Sequence, residues 1–182
     1  MSPAFNMAGQ FILPHEEEFA RGHWGDENFV VAENVSGDSG GVTKYGIDQA
    51  SHPGVDVANL TRDEAVAIYA QEWEQHGLDA LPDLIAIAMF DVWVNGGHAV
   101  AWLQAALNQA RPTGVPELVV DGDLGPATIS AARLCDQKKV LRIFIDERDA
   151  RFKALAQNPS RAKFLAGWEQ RDRDLAAFLG VS

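Results

Sequence analysis

DLIAIAMFDVWVNGG, residues 83–97, is apolar nearly all round and about as long as a mean helix. Pro82 stands at its start and Asn95-Gly96-Gly97 stops it, so it reads as the central buried helix of a mainly helical core. Two polar residues interrupt it. Asp91 and Asn95 are four apart and therefore share one face, and buried polar groups cost free energy unless they are hydrogen-bonded. They belong either to a polar network tying helices to a neighbouring hairpin or to a substrate-facing surface.

Outward from this helix the pattern stays helical. On the C-terminal side a helix from about His98 to Gln109 presents Val100, Leu103 and Leu107, and the turn VVDGDLGP leads into another with Pro126 at its first position. Two further helices, roughly Lys138 to Gln157 and Arg161 to Leu179, finish the chain. On the N-terminal side Thr61-Arg62-Asp63-Glu64 is a capping box opening a helix with Ala65, Val66, Ile68, Tyr69 and Trp73 on one stripe, and Gly77 ends it. Phe5, Phe11, Ile12 and Phe19 predict a first helix to about Arg21, kinked or restarted at Pro14. Between these, Phe29 to Val31 and Val42 to Ile47 read as two short strands closed by turn chemistry from Asn34 to Gly41. The expected fold is mainly α with a small β-hairpin beside a helical core. Without repeat or linker, residues 1–182 form a single domain, divided internally into 1–97 and 98–182.

The 182 residues carry a formal net charge of −11, which argues against nucleic acid as a partner, since phosphate binding wants clustered lysine and arginine. No apolar run approaches the roughly 18 residues of a membrane span, and the N-terminus lacks the features of a signal peptide. The single cysteine, Cys135, excludes an intrachain disulfide framework and reads as a buried structural thiol. His15, His23, His52, His76 and His98 show no metal-ligand spacing, so no metal and no cofactor are implied.

Chemistry concentrates in Leu13 to Ile47. Glu16, Glu17 and Glu18 close the first helix, and the segment Asp38-Ser39-Gly40-Gly41-Val42-Thr43 follows in a turn-rich region. The acidic run alone reads as a solvated face, and the glycine-rich segment alone as a tight hairpin. Together they place two carboxyls across a cleft, one kept protonated in a partly apolar setting and one ionised, which is the division of labour that glycoside cleavage needs. Asp38 or Thr43 could position water there, and Trp24, in the polar loop after the glutamates, could form a sugar-stacking platform.

These pieces resemble the lysozyme-like muramidases of glycoside hydrolase family 108, which carry a peptidoglycan-binding-like C-terminal region. The resemblance rests on Glu16-Glu17-Glu18-Phe19 for the family's EGG-aromatic motif and on Asp38 to Ile47 for its D-x-GG-x-T-x-YGI motif. It extends to Phe90-Asp91 with Asn95-Gly96-Gly97, and to Leu103-Gln104 with Asp121-Gly122, Gly125-Pro126 and Thr128. The terminal FLAGW, Phe164 to Trp168, resembles the family's last helix. Two departures stand out: glutamates replace the motif's glycine pair, and some ten extra residues separate the glutamate from Asp38. The resemblance implies a lysozyme-like α+β fold that cuts β-1,4 bonds of peptidoglycan, with Glu16 as general acid and Asp38 and Thr43 as its catalytic partners. Glu18 is the alternative acid if the register shifts, and Glu27 if spacing decides. Glu18, Trp24, Tyr45, Asp91 and Asn95 form the expected substrate-binding set.

The acidic charge opposes long-range attraction to an anionic wall. That keeps a chitosanase-like hydrolase, acting on a polycationic substrate, as an alternative, and the altered EEEF motif keeps a non-catalytic wall-binding or virion-associated module as another. A wall substrate without a signal peptide implies synthesis in the cytoplasm and delivery to the periplasm or wall by phage lysis or a secretion system, with a holin, exporter or immunity protein as partner.

Overall fold

A computed structural model describes residues 1–19 and 41–181, with the backbone alone for residues 17–19. The chain forms two compact units, Met1–His76 and Gly77–Ser182.

In the first unit, helix α1 (Pro3–Phe19) runs through Pro14 without a break in its helical assignment. It buries Ala4, Phe5, Ala8, Phe11 and Ile12, a stripe at helical spacing. This face packs on α2 (Arg62–Gln75), whose buried residues Ala65, Tyr69 and Trp73 recur every fourth position. The Phe5 ring stands edge-on to Trp73, with centroids 5.6 Å apart. The expected capping box is formed: the Thr61 side chain accepts from the Glu64 amide at 3.3 Å, and the Glu64 carboxylate accepts from the Thr61 amide at 2.8 Å.

The hairpin differs from expectation. In place of one strand from Val42 to Ile47, the segment folds on itself as β1 (Thr43–Lys44) and β2 (Ile47–Asp48), antiparallel, with Thr43 opposite Asp48 and Lys44 opposite Ile47. Tyr45 (φ 53°) and Gly46 (φ 78°) make the connection, both with the positive φ of a type I′ turn, whose twist matches that of paired strands. A two-residue turn was hidden in the sequence because tyrosine seldom takes the left-handed conformation. Residues 29–31, the expected partner strand, lie outside the described residues. A 3-10 turn at Val57–Asn59 lies beside β1.

The second unit opens with Gly77 (φ 64°) and a 3-10 turn at Leu78–Ala80. It continues through α3 (Asp83–Val94), α4 (Ala99–Ala110), α5 (Pro126–Leu134), α6 (Gln137–Leu155), α7 (Pro159–Ala162) and α8 (Leu165–Phe178). In α3, the eight residues from Ile85 to Val92 are all buried, as its unbroken apolarity requires. The long helix α6 packs against α3, α4 and α8. The internal division expected at 97/98 falls between α3 and α4, which pack against each other inside this unit. The final helix expected from Arg161 is two helices. Asn158 caps α7 by accepting from the Ser160 amide at 3.1 Å, and α8 begins separately at Leu165.

The turn before α5 is held from α4. Buried Gln104 donates to Asp121 at 2.7 Å and to Thr128 at 3.1 Å, and its carbonyl accepts from the Gly122 amide at 2.9 Å. Those residues are among the ones that carry the family resemblance, and their shared role here is to close this loop.

Candidate active site

Glu16 lies half-buried three residues before the end of α1, and its carboxyl group reaches the Tyr45–Gly46 turn. A methyl group placed on Gly46 would meet Glu16 Oε2 at 2.7 Å and Tyr69 Oη at 2.6 Å. Only glycine leaves room for a carboxyl and a phenol to converge on one point of backbone. Tyr69, from α2, donates its hydroxyl to the Tyr45 carbonyl at 2.7 Å, which anchors the strained turn. Lys44 is buried on β1 with its ammonium 5.6 Å from the centroid of the Tyr45 ring. Beside Glu16, the His15 ring lies tilted against that of Phe11, centroids 4.1 Å apart, and its Nδ1 lies 2.7 Å from the Phe11 carbonyl.

The structure thus brings Glu16, Tyr45, Gly46 and Tyr69 together from three elements of the first unit, with Thr43 two residues away along β1. Tyr69 was read from sequence only as part of a helix stripe. The available signal was that a buried phenol requires a hydrogen-bond acceptor. Asp38, Trp24 and Glu27 lie outside the described residues, as does the side chain of Glu18.

Asp91 and Asn95 belong to the second unit. Asp91 is fully buried; Arg148 Nη1 reaches its Oδ2 at 2.5 Å, and Arg171 Nε and Nη2 each reach Oδ1 at 2.8 Å. Burial alone would raise its pKa, but the two guanidiniums outweigh it and hold the carboxyl below the usual range. The network expected to tie helices to the hairpin therefore ties α3 to α6 and α8 instead. Its carboxylate is enclosed by arginines within the helical core. Asn95 is exposed, and its amide donates to the Asp91 carbonyl at 2.7 Å, closing the end of α3.

Asp172 completes the cluster. Arg148 Nε lies 2.9 Å from its Oδ1 but off the line of a hydrogen bond, so among the described residues neither carboxylate oxygen has a hydrogen-bond partner. Burial pushes its pKa up to about 7, with neighbouring Asp91 adding to the shift against the pull of Arg148. Among the described residues no group of His, Cys, Asp and Glu is placed to hold a metal ion, and no helix is long and apolar enough to cross a membrane.

Residues 30–97 match the family model described as glycosyl hydrolase 108, and residues 98–173 match that of a predicted peptidoglycan domain. The glycosyl hydrolase 108 match and the peptidoglycan-domain match adjoin at residues 97 and 98 and together span residues 30–173. The first match takes in the Tyr45–Gly46 turn, Tyr69 and α3; it begins after Glu16. Among solved structures, SagA of Brucella abortus is similar at 26% identity with a TM-score of 0.64, over 96% of this chain and 96% of that one. No curated protein sequence matches. The protein is lysozyme-like in fold, mostly helical with a two-stranded sheet, and its glycosyl hydrolase 108 and peptidoglycan-domain regions make it a peptidoglycan-cleaving glycoside hydrolase.

Proposed function

We propose that the protein is an N-acetylmuramidase in which Glu16 is the general acid. It donates a proton to the leaving glycosidic oxygen as the β-1,4 bond next to N-acetylmuramic acid breaks. The observation that carries this reading is the convergence of the Glu16 carboxyl and the Tyr69 hydroxyl on Gly46. A helix fixes one side of that point and a tyrosine-anchored I′ turn the other, so the carboxyl is held in place before substrate arrives. Asp38 and Thr43, in the glycine-rich segment leading into the same hairpin, supply the second function: stabilising the oxocarbenium-like transition state or holding the attacking water. Trp24, Tyr45 and Glu18 line the path of the glycan in this reading. Delivery to the wall proceeds through phage lysis or a secretion system, with the partner protein such a route requires.

The test is digestion of purified peptidoglycan by the wild type and by Glu16→Gln, with reducing ends identified by mass spectrometry. Muramic reducing ends from the wild type, and a folded variant slower by about 10²–10⁴-fold, are the expected result. A variant that keeps its rate moves the acid to Glu18 or Glu27. Faster cleavage of chitosan than of peptidoglycan favours the chitosanase reading, and wall binding without cleavage by the wild type favours a non-catalytic module.

A further inference from the structure

The second unit contains a cavity of about 620 Å³ between the end of α3, the start of α4, and α6 to α8. That is the size of a small-ligand site. Its wall is chemically one-sided. The chain has 26 Asp and Glu against 15 Lys and Arg, yet four arginines and, among the described residues, no Asp or Glu line this cavity.

Two of the arginines, Arg148 and Arg171, are spoken for by Asp91 and are held rigid inside the core. The other two face the opening. Arg151 is half-exposed, its guanidinium 5.1 Å from the centre of the Trp102 ring and only 3.5 Å from Glu147, a long contact. Arg161 is exposed, and its guanidinium has no hydrogen-bond or ion-pair partner among the described residues. The apolar side of the cavity is a stack of rings, Trp168 on Phe152 with centroids 5.0 Å apart.

From this arrangement we propose that the cavity binds the peptide stem of peptidoglycan through its free carboxylates. A planar guanidinium donates two parallel hydrogen bonds to a carboxylate, and Arg161 has both donors available. The Trp168–Phe152 face covers the aliphatic part of a short peptide, while Arg148 and Arg171, neutralised by Asp91, form the rigid back wall and leave the charge of the site to Arg151 and Arg161. A neutral glycan has no use for the two uncompensated cations at the opening, whereas a stem peptide carries several carboxylates. The inference rests on the reading that peptidoglycan is the substrate and gives the second unit its part: it grips the peptide while the first unit handles the sugar. A local positive site also offers an overall acidic protein a means of holding an anionic polymer.

The probe is a synthetic stem tripeptide, alanyl-γ-glutamyl-diaminopimelate, titrated into the full chain by calorimetry and compared with the same tripeptide carrying amidated carboxyls. The wild type is expected to bind the free acid with an affinity that falls as salt is raised. Amidation, or Arg161→Gln, should weaken binding at least about tenfold, the effect of losing one charged hydrogen-bonded pair. Arg173→Gln, which removes the same charge from an exposed site outside the cavity, should leave it unchanged. Undetectable binding by the wild type, or equal binding of acid and amide, overturns the assignment without reference to any variant. Release of reducing ends from walls is measured in parallel. If the peptide binds but no ends appear, the muramidase reading falls and the cavity stands; if ends appear but the peptide does not bind, the cavity assignment alone falls.

Discussion

Gly46→Ala places a methyl group 2.7 Å from Glu16 Oε2 and 2.6 Å from Tyr69 Oη, at a residue whose φ is 78°. Two costs follow. The left-handed conformation costs an alanine about 1–2 kcal/mol, and displacing the Tyr69 hydroxyl from the Tyr45 carbonyl forfeits about 0.5–1.5 kcal/mol more. The Glu16 side chain, met at Cγ (2.8 Å) as well as at its carboxyl, can swing aside, while the buried Tyr69 ring must shift, so the protein should stay folded with a loss of at least about 2–3 kcal/mol in urea denaturation. Activity should suffer far more, because the group that must yield is the Glu16 carboxyl. A displacement of about 1 Å of a catalytic group can cost about 100-fold in rate. Gly180→Ala separates the two effects: its φ is 66°, and a methyl there meets nothing within 4 Å. It should show the backbone penalty alone, with the wild-type rate of reducing-end release. A folded Gly46→Ala protein that cuts peptidoglycan as fast as Gly180→Ala would refute the idea that the Glu16 carboxyl at this turn performs the chemistry.

Asp91→Ala leaves Arg148 and Arg171 buried without their carboxylate and should destabilise the fold by about 3–5 kcal/mol, seen as a lowered denaturation midpoint. Asp172 gives a pH signature. Its native pKa of about 7 lies above the ordinary aspartate value of 3.8, so between those values the native state holds a proton that the unfolded chain has released, and stability from this group falls as pH rises through the window. Asp172→Asn should therefore gain stability relative to the wild type at pH 8 compared with pH 5; a difference that stays constant across that range contradicts the assignment. Asp91 works in the opposite sense. Its lowered pKa contributes stability above the usual carboxylate range that is lost as the solution is acidified through its native value, so Asp91→Asn should flatten the acid limb of the stability profile.

Several elements were legible because a local signal coincided with a local cause. The capping box of α2 depends on side chains three residues apart, and the central helix on fifteen residues with almost no polar face. Pro126 at the start of α5 and Gly77 after α2 sit where their backbone preferences place them. The turn inside the strand expected from Val42 to Ile47 was not legible, because alternation and glycine content do not reveal which residues take positive φ. Tyr45 adopts that conformation with the Tyr69 hydroxyl on its carbonyl, from a residue 24 positions away. The final helix was read as one because the break between α7 and α8 carries no glycine, and its proline stands at the start of α7.

The sequence by itself determined the helical class, the order of the helices, and the presence of an acidic residue at the end of α1 near a glycine-rich turn, since these follow from periodicity and backbone preference within a few residues. The tertiary structure decided which groups meet. Glu16, Gly46 and Tyr69 converge from positions spread over 53 residues. Asp91 receives two arginines from helices that follow it by 57 and 80 residues, and the cavity gathers its arginines and rings from α4, α6, α7 and α8. A lone aspartate in an apolar helix announces that it needs a partner, but burial of charge is resolved only by the packing that delivers one.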